Sequence, residues 1–236
     1  MRLKAPIKAV FFDAGWTLFR PANTEWFINN KMMACMDRRA FAAVPPDKKE
    51  AAFGRALRYL NENHLLTSDD EEFTQFRMFY TIIAENLPEL ALTREQIDAV
   101  AYSKVFDMEN YPYFDDTVTT LEALKGGYKL GIISDTWPSI ERILKAGGID
   151  TFFDAKTYSY LLGVFKPDER MYLHALTQVG LPPEQTIFID DSERNLDGAA
   201  KCGIQPVLIT VNPDTKNSGK YPSISRLSDL LERLGR

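Results

Sequence analysis

The pattern of apolar and polar positions changes character twice along the chain. Ala9–Phe12 is a short apolar run that ends at a carboxylate, Asp13, as expected of a strand buried on both faces. Residues from about 20 to 112 then show helical periodicity and little strand character. From about residue 114, apolar runs alternate with helix-like stretches. This alternation indicates a parallel sheet with helices on both faces.

The middle segment carries the start and stop signals of helices. Capping-box patterns begin at Ser68 and at Thr93, and Pro45-Pro46 separates two periodic stretches. We therefore expect an all-helical insert of about four helices. The acidic run Asp69–Glu72 is interpreted as a solvated first turn, because negative charge is favoured near a helix N-terminus.

The second half of the chain predicts four further strands and a final helix. A polar loop, 212–223, precedes that helix, which is expected to carry its apolar residues between Ile224 and Leu234. The strands are expected at about Tyr128–Ile133, Ala155–Tyr160, Thr186–Ile189 and Gln205–Thr210. With the first strand, these make a five-stranded parallel sheet.

Composition narrows the class of protein. The net charge is −5 with acids and bases interspersed, so no basic stripe predicts nucleic-acid binding. No apolar run approaches the roughly 20 residues of a membrane span, and Asp13 interrupts the N-terminal apolar segment that a signal peptide would need. The two cysteines form no metal-binding or disulfide pattern. We therefore expect a soluble, cytoplasmic protein; its oligomeric state is left open.

Residues of catalytic type follow three of the predicted strands. Asp13, Ser134 and the pair Asp190-Asp191 stand at strand ends, and Lys166 lies in a loop between two of these strands. The carboxyl ends of parallel strands share one edge of the sheet, so these groups can converge on one ligand. Carboxylates with room for water suit Mg²⁺, and the set as a whole suits phosphoryl transfer.

The ordered set of motifs resembles that of the haloacid dehalogenase superfamily of hydrolases, in the subgroup with a helical cap inserted after the first strand. The motifs stand in this order: Asp13–Thr17, Ser134, Lys166-Pro167, and Asp190–Ser192 followed by Asn195 and Gly198-Ala199. The resemblance covers essentially the whole chain. It implies an α/β fold with a Rossmann-like core domain, 1–19 and 113–236, and an all-helical cap domain, 20–112.

The resemblance also implies catalytic roles. Asp13 would attack phosphorus and form an aspartyl-phosphate, the covalent route open to a carboxylate. Thr17 belongs to the same motif. Ser134 would donate a hydrogen bond to a phosphoryl oxygen, and Lys166 would balance the charge of Asp13 and of the phosphate. Asp135 is a further candidate at the substrate, and the cap would close over the site and select the substrate.

The metal site implied by the resemblance holds Mg²⁺. Its ligands would be Asp13, the backbone carbonyl of Gly15, and Asp191, with Asp190 as a further ligand or as support. Asn195 is counted with Ser134, Asp135 and Lys166 among the substrate-binding candidates. The implied partner is a small phosphorylated molecule that this sequence does not identify.

One departure from the family motif concerns the acid. The second Asp of the first motif, which protonates the leaving group in the phosphatases of the superfamily, is replaced by Gly15. A glycine keeps the backbone carbonyl for a metal but has no acid, and general acid–base help is worth about 10²–10⁴-fold in rate. The loss is expected to matter most for alkyl phosphates. Asp135 or a cap residue could relay the proton.

Three functions remain open from the sequence. The first is a Mg²⁺-dependent phosphatase with reduced acid catalysis. The second is a haloacid dehalogenase-type hydrolase, which also lacks the second Asp but needs no metal; it would use an arginine after the first strand, for which Arg20 is the nearby candidate. The third is a weakly active or non-catalytic regulatory protein on the same scaffold.

Overall fold

The computed structural model describes residues 6–235, which divide into an α/β unit and a helical unit. The α/β unit contains the described residues up to Arg20, then Tyr113–Thr136, and the described residues from Ile143 onward. The helical unit contains Pro21–Pro112 and Trp137–Arg142. This division differs from the expected boundaries, 1–19 with 113–236 and 20–112, at Arg20 and at Trp137–Arg142. The assignment of core and cap domains stays a prediction.

Within residues 6–235, six strands form one parallel sheet with the order β3-β2-β1-β4-β5-β6. Their bounds are β1 Ala9–Phe12, β2 Lys129–Ser134, β3 Ala155–Tyr158, β4 Thr186–Asp190, β5 Gln205–Ile209 and β6 Ser223–Ile224. The first five confirm the existence of the predicted strands and the fold class, but the third strand ends at Tyr158, two residues before its predicted end, because a helix begins at Ser159. The sixth was missed, because two residues beside a polar loop carry no readable alternation.

The register places β1 between its two neighbours in the middle of the sheet. Val10 pairs with Leu130 of β2 on one side and with Ile187 of β4 on the other. All four residues of β1 are fully buried, as expected of a strand in a parallel sheet covered on both faces. The chain therefore turns in opposite directions along the sheet on the two sides of β1, and such a switch point is where open α/β sheets bind ligands.

Among the described residues, the helical unit contains five helices before the chain returns to the sheet, where about four were expected. They are α1 Asn30–Cys35, α2 Arg38–Ala43, α3 Pro46–Glu62, α4 Asp69–Asn86 and α5 Arg94–Phe106. The capping box at Thr93 is complete. At Ser68 only half of it forms, because the Glu71 carboxylate accepts hydrogen bonds from the backbone and hydroxyl of Thr67. Aromatic and aliphatic residues of α4, including Phe76, fill the interior of this unit.

Six further α-helices follow in the described part of the chain. They are α6 Thr117–Leu124, α7 Ile140–Ala146, α8 Ser159–Leu162, α9 Glu169–Val179, α10 Glu193–Lys201 and α11 Asp229–Arg233. On one face of the sheet, Met171 of α9 and Leu196 of α10 belong to the same buried cluster as Phe11 and Phe188. The last helix is shorter than predicted, because Ile224 belongs to β6 and Leu227 lies in the turn that follows this strand.

The first two turns of α4 bind the segment Trp137–Arg142 through three side chains at a spacing of three residues. Asp69 pairs with Arg142. The Glu72 carboxylate accepts from the backbone N–H of Ser139 at 2.6 Å and from its hydroxyl at 2.7 Å. Residues three apart lie on one helix face, so one face of α4 makes all of these contacts with the segment.

Gln75 is the third residue on that face, and its Oε1 accepts a hydrogen bond from the indole N–H of Trp137 at 2.8 Å.

The interpretation of Asp69–Glu72 as a solvated turn is wrong for Glu72, because this residue is 1% exposed. The ammonium of Lys104 lies in the same interior, 5.3 Å from the ring centroid of Phe76 and within hydrogen-bond distance (2.9 Å) of the Tyr111 hydroxyl.

Burial shifts both charged groups of this interior toward their neutral forms. It raises the pKa of the Glu72 carboxyl to about 7, against the hydrogen bonds from Ser139 and the charge of Lys104. It lowers the pKa of the Lys104 amine to about 8, against the charge of Glu72. The carboxylate and the ammonium therefore stabilise each other in a setting that opposes charge on either one.

Candidate active site

The candidate site lies at the carboxyl edge of the sheet, around the ends of β1, β2 and β4. Asp13 follows β1 directly, Ser134 is the last residue of β2, and Asp190 is the last residue of β4. The backbone N–H of Asp13 donates to the carbonyl of Ile189 at 2.8 Å, which holds the ends of β1 and β4 side by side. Residues far apart in sequence are thus brought to one edge, as parallel pairing requires.

Lys166 joins two of these strand ends. Its ammonium donates to Asp13 Oδ1 at 2.6 Å and to Asp190 Oδ2 at 2.8 Å. All three side chains are nearly or fully buried, with Lys166 only 3% exposed. Burial opposes the charge of Lys166, but the carboxylates of Asp13, Asp190 and Asp135 outweigh it and hold the pKa of the ammonium well above its usual value. Lys166 is therefore a fixed positive charge.

The loop that carries Lys166 is held from β2. Asp135 follows Ser134, and its Oδ1 accepts from the backbone N–H of Lys166 at 2.9 Å. Burial raises the pKa of the Asp135 carboxyl, while the charge and the N–H of Lys166 oppose the rise. The structure thus places Asp135 against the main chain of the Lys166 loop, where it supports the position of the lysine.

Asp190 is the most enclosed carboxylate of the site. Besides Lys166, its Oδ1 accepts from the backbone N–H of Ser192 at 2.8 Å, and the side-chain amide of Asn195 lies 3.1 Å from each of its oxygens. Asn195, predicted at the substrate, therefore contacts Asp190. Burial raises the pKa of Asp190 to about 7, with Lys166 opposing and the charge of Asp13 adding to the rise.

Asp191 is half-buried beside these groups. Its Oδ2 accepts from the side-chain amide of Asn212 at 2.9 Å. Burial raises the pKa of Asp191 to about 6, the charge of Asp13 adds to the rise, and the hydrogen bond from Asn212 opposes it. Sequence reasoning missed Asn212, because it lies in a polar loop 21 residues further along the chain.

The carboxylates of Asp13, Asp190 and Asp191 fit a divalent cation. Each offers an oxygen, and these oxygens lie within 4.8 Å of one another. Hard cations such as Mg²⁺ take oxygen ligands, and carboxylates suit them best. Burial is the main cause of the raised pKa values of Asp190 and Asp191, and the charge of Asp13 adds to both; a bound cation would stabilise these carboxylates in their ionised forms.

A tight turn follows Asp13 and carries the rest of the first motif. The backbone N–H of Trp16 donates to the carbonyl of Phe19 at 2.7 Å, and that of Leu18 donates to Ala14 at 2.8 Å. The left-handed conformation in this turn is at Trp16, with φ 54°. Such a conformation costs a non-glycine residue roughly 1–3 kcal/mol, so contacts around the turn must stabilise it. One of them is between the rings of Trp16 and Phe114, whose centroids are 6.4 Å apart.

Two hydroxyl residues of the motifs are buried at this edge. Ser134 is 2% exposed at the end of β2. Thr17 is fully buried, and its Oγ1 has no hydrogen-bond partner among residues 6–235. A buried hydroxyl without a hydrogen bond is unfavourable for the folded state. Gly15, between Asp13 and Thr17, is half-buried.

The chain matches a known protein family over most of its length. Residues 7–203 match the family model described as haloacid dehalogenase-like hydrolase. Over 126 residues, 51% of this chain, the sequence is 34% identical to the GMP/IMP nucleotidase YrfG of Escherichia coli (strain K12). That match spans 57% of the length of the nucleotidase, so little more than half of that relative is covered.

A second relative is matched over more of its length. The glyceraldehyde 3-phosphate phosphatase of Methanothermobacter thermautotrophicus is 26% identical over 206 residues, which are 86% of this chain and 85% of the phosphatase. Among solved structures, a dehalogenase described with an intermediate complex superposes with a TM-score of 0.67 at 22% identity, covering 99% of this chain and 100% of that one. The likeness to the dehalogenase shows the fold alone.

The comparisons bear on the class of protein and not on individual residues. Both relatives are named as enzymes that act on phosphate compounds. No helix in the described part of the chain is long and apolar enough to cross a membrane. The roles of the candidate site residues stay predictions.

Proposed function

Because the chain belongs to the haloacid dehalogenase-like hydrolase family, we propose that this hydrolase is a Mg²⁺-dependent phosphatase acting through an aspartyl-phosphate on Asp13. The observation that carries the proposal is the arrangement of Asp13, Asp190 and Asp191, whose oxygens lie within 4.8 Å of one another. Two of these carboxylates, Asp13 and Asp190, pair with the ammonium of Lys166. A dehalogenation that needs no cation would not require the carboxylates of Asp190 and Asp191 beside Asp13.

The substrate class proposed is a small phosphorylated metabolite. The relatives are named for a purine nucleotide and for a triose phosphate, so nucleoside monophosphates and short sugar phosphates are the first compounds to test. The site itself supports recognition of the phosphoryl group, since Lys166 supplies positive charge and Ser134 a hydroxyl donor.

In the first step, a carboxylate oxygen of Asp13 attacks phosphorus, and the bond between phosphorus and the leaving oxygen breaks. Lys166 orients Asp13, because its ammonium donates to Oδ1 at 2.6 Å. Ser134 and Lys166 donate to the phosphoryl oxygens, whose charge must be stabilised as the bonds change. The leaving oxygen takes a proton from water, because Gly15 has no acid to give.

In the second step, water attacks phosphorus of the aspartyl-phosphate. The bond between phosphorus and Asp13 breaks, inorganic phosphate leaves, and the carboxylate is restored. The proton that water loses goes to solvent or to the departing phosphate. Without an acid–base residue at position 15, both steps lack help worth about 10²–10⁴-fold, so substrates with good leaving groups should react fastest.

The residues proposed to hold Mg²⁺ are Asp13, Asp191, the carbonyl of Gly15 and, directly or in support, Asp190. The cation would neutralise the charge of the phosphoryl group against Asp13. Lys166 and Asn195 fix Asp190 through three hydrogen bonds of 2.8 to 3.1 Å, so the carboxylate side of the site is held in place before a substrate arrives.

The test is a Mg²⁺-dependent phosphatase screen of the full chain. Its panel contains GMP, IMP, glyceraldehyde 3-phosphate and acetyl phosphate, and it is run beside Asp13→Asn. We expect phosphate release by the wild type with Mg²⁺, none with EDTA, and none from Asp13→Asn under either condition. The proposal fails if no member of the panel is hydrolysed and no Mg²⁺ is bound.

A second candidate function rests on Gly15. Dehalogenases of the resembled superfamily also lack the second Asp of the first motif, and Arg20 is the candidate for their arginine. In that reaction Asp13 would attack carbon, halide would leave, and water would cleave the resulting ester. Metal-independent halide release from a 2-haloacid would favour this function over the phosphatase.

A further inference from the structure

We infer that Asn212 is a positioning residue that orients the side chain of Asp191 for the cation. The inference rests on the proposed function, since it assigns the support of one proposed Mg²⁺ ligand. It concerns the loop 210–222, which links β5 to β6 and overlaps the polar loop expected from the sequence.

Both ends of the Asn212 side chain are in use. Its Nδ2 donates to Asp191 Oδ2 at 2.9 Å. Its Oδ1 accepts from the backbone N–H of Asp214 at 3.0 Å, which closes an Asx turn. The backbone carbonyl of Asn212 also accepts from Thr215 at 3.0 Å. The turn therefore fixes which end of the amide faces Asp191, and a donor faces the carboxylate.

The same loop is tied to α10 at two further points. The backbone N–H and hydroxyl of Ser218 donate to Glu193 Oε1 at 2.9 and 2.8 Å. Lys220 and Tyr221 both donate to Asp197 Oδ1. The loop is thus tied to α10 through Glu193 and Asp197, and it places Asn212 at the carboxylate of Asp191.

A hydrogen bond to one oxygen of a carboxylate restrains the rotation of the group. The three candidate ligand oxygens lie within 4.8 Å of one another, and a cation gains most when they are held at that spacing before it binds. Partners that orient a ligand in this way typically contribute about 10–100-fold in metal affinity. Asn212 makes this contact from outside the four motifs.

The experiment measures Mg²⁺ binding to the substrate-free protein by isothermal titration calorimetry. Asn212→Ser retains a hydroxyl that can close the turn with Asp214 but is too short to reach Asp191. Asn212→Ala loses both the hydrogen bond to Asp191 and the one from the backbone of Asp214. Ser218→Ala is the matched control, because it loosens the same loop without touching Asp191. Circular dichroism melting without metal checks that each variant is folded.

We expect Asn212→Ser and Asn212→Ala to weaken Mg²⁺ binding by about ten-fold or more, and Ser218→Ala to bind as the wild type does. The inference is overturned if Asn212→Ser binds Mg²⁺ normally, or if Ser218→Ala weakens binding equally, since the loop and not the amide would then matter. If the wild type binds no Mg²⁺, the proposed function falls together with the inference; normal binding by Asn212→Ser removes the inference alone.

Discussion

The ammonium of Lys166 donates a 2.6 Å hydrogen bond to Oδ1 of Asp13, although the two residues are 153 positions apart in the chain. The same ammonium bonds Asp190 at 2.8 Å. One buried cation thus connects the end of β1 with the end of β4. Lys166 therefore has two roles in this account. Its ammonium links the ends of the two strands, and it also bonds Asp13, the proposed nucleophile.

Replacing Lys166 with methionine should destabilise the protein strongly. Methionine preserves most of the volume but leaves Asp13 and Asp190 buried without their counter-charge. Removing one partner of a buried charge pair costs about 3–5 kcal/mol. Urea unfolding at neutral pH with EDTA measures this loss.

The control for Lys166→Met is Lys220→Met, which removes an ammonium that pairs with Asp197 at the surface at the same distance of 2.6 Å. Exposed pairs contribute little, so Lys220→Met should change the unfolding midpoint only slightly. Equal effects of the two substitutions would show that burial does not determine how much the ion pairs of Lys166 contribute to the free energy of unfolding.

Restoring an acid at position 15 should speed the proposed reaction. Gly15→Asp places a carboxyl group where the resembled phosphatases carry theirs, and the left-handed residue of the turn is Trp16, not residue 15. We expect kcat for an alkyl phosphate to rise by about 10²–10⁴-fold, and kcat for acetyl phosphate to rise far less, because its leaving group needs no proton.

Gly15→Asn is the matched control for the acid, since it adds the same shape without a transferable proton. It should give no increase with either substrate. A rate increase with asparagine would mean that packing, and not acid catalysis, limits the wild type.

Glu72 should make the stability of the protein fall as the pH rises through the weakly acidic range. Its folded-state pKa, about 7, lies above its ordinary value of 4.5, so the folded protein binds this proton more tightly than the unfolded chain does. The stability that Glu72 contributes is therefore complete below about pH 4.5 and is lost as the pH approaches 7. The charges facing it are those of Lys104 and Asp69.

Urea unfolding at pH 5 and at pH 7.5 tests this sign. The wild type should lose more stability over that interval than Glu72→Gln does. The neighbouring variant Glu71→Gln serves as the control, because the pKa of Glu71 is lowered, first of all by hydrogen bonds from Thr67. This variant should still lose stability between pH 5 and pH 7.5 as the wild type does. Parallel curves for the wild type and Glu72→Gln would contradict the prediction.

Two glycine-to-alanine substitutions should have opposite effects on stability. A Cβ at Gly198 in α10 would lie 2.7 Å from the ring of Tyr172 and 2.8 Å from Pro167, next to Lys166. Overpacking of this kind costs typically about 1–3 kcal/mol. Gly54, exposed within α3, has no atom within 4 Å of such a Cβ, and alanine there should stabilise by roughly 0.5–1 kcal/mol.

Thermal unfolding with EDTA compares the two glycine variants directly. A stabilised Gly198→Ala would show that α10 can move away from Tyr172 without cost. That result would also show that α10 can shift although its Asn195 contacts Asp190.

The sequence predicts the fold and the grouping of motifs for a clear physical reason. Apolar runs that end in polar residues, separated by helices, indicate parallel strands whose ends share an edge, so Asp13, Ser134 and Asp190 could be expected together before their distances were known. The family and the α/β class are confirmed. The chemical roles of these residues stay predictions until they are measured.

What the sequence did not predict depends on contacts between distant segments. Glu72 sits in an acidic run typical of a helix start, and its burial depends on Ser139, 67 positions later. Asn212 lies in a loop without periodicity, and only the folded chain places it beside Asp191. The segment Trp137–Arg142 groups with the helical unit because of side-chain pairing with α4, which no local pattern reports.

Phosphorylation of Asp13 during turnover is the step on which the proposed function depends. The most direct measurement is mass spectrometry of peptides from protein quenched in acid after incubation with acetyl phosphate and Mg²⁺. We predict a phosphoryl group on the peptide containing Asp13, absent with EDTA and absent from Asp13→Asn. Phosphate release without label on Asp13, or label on Ser134 instead, would contradict the account.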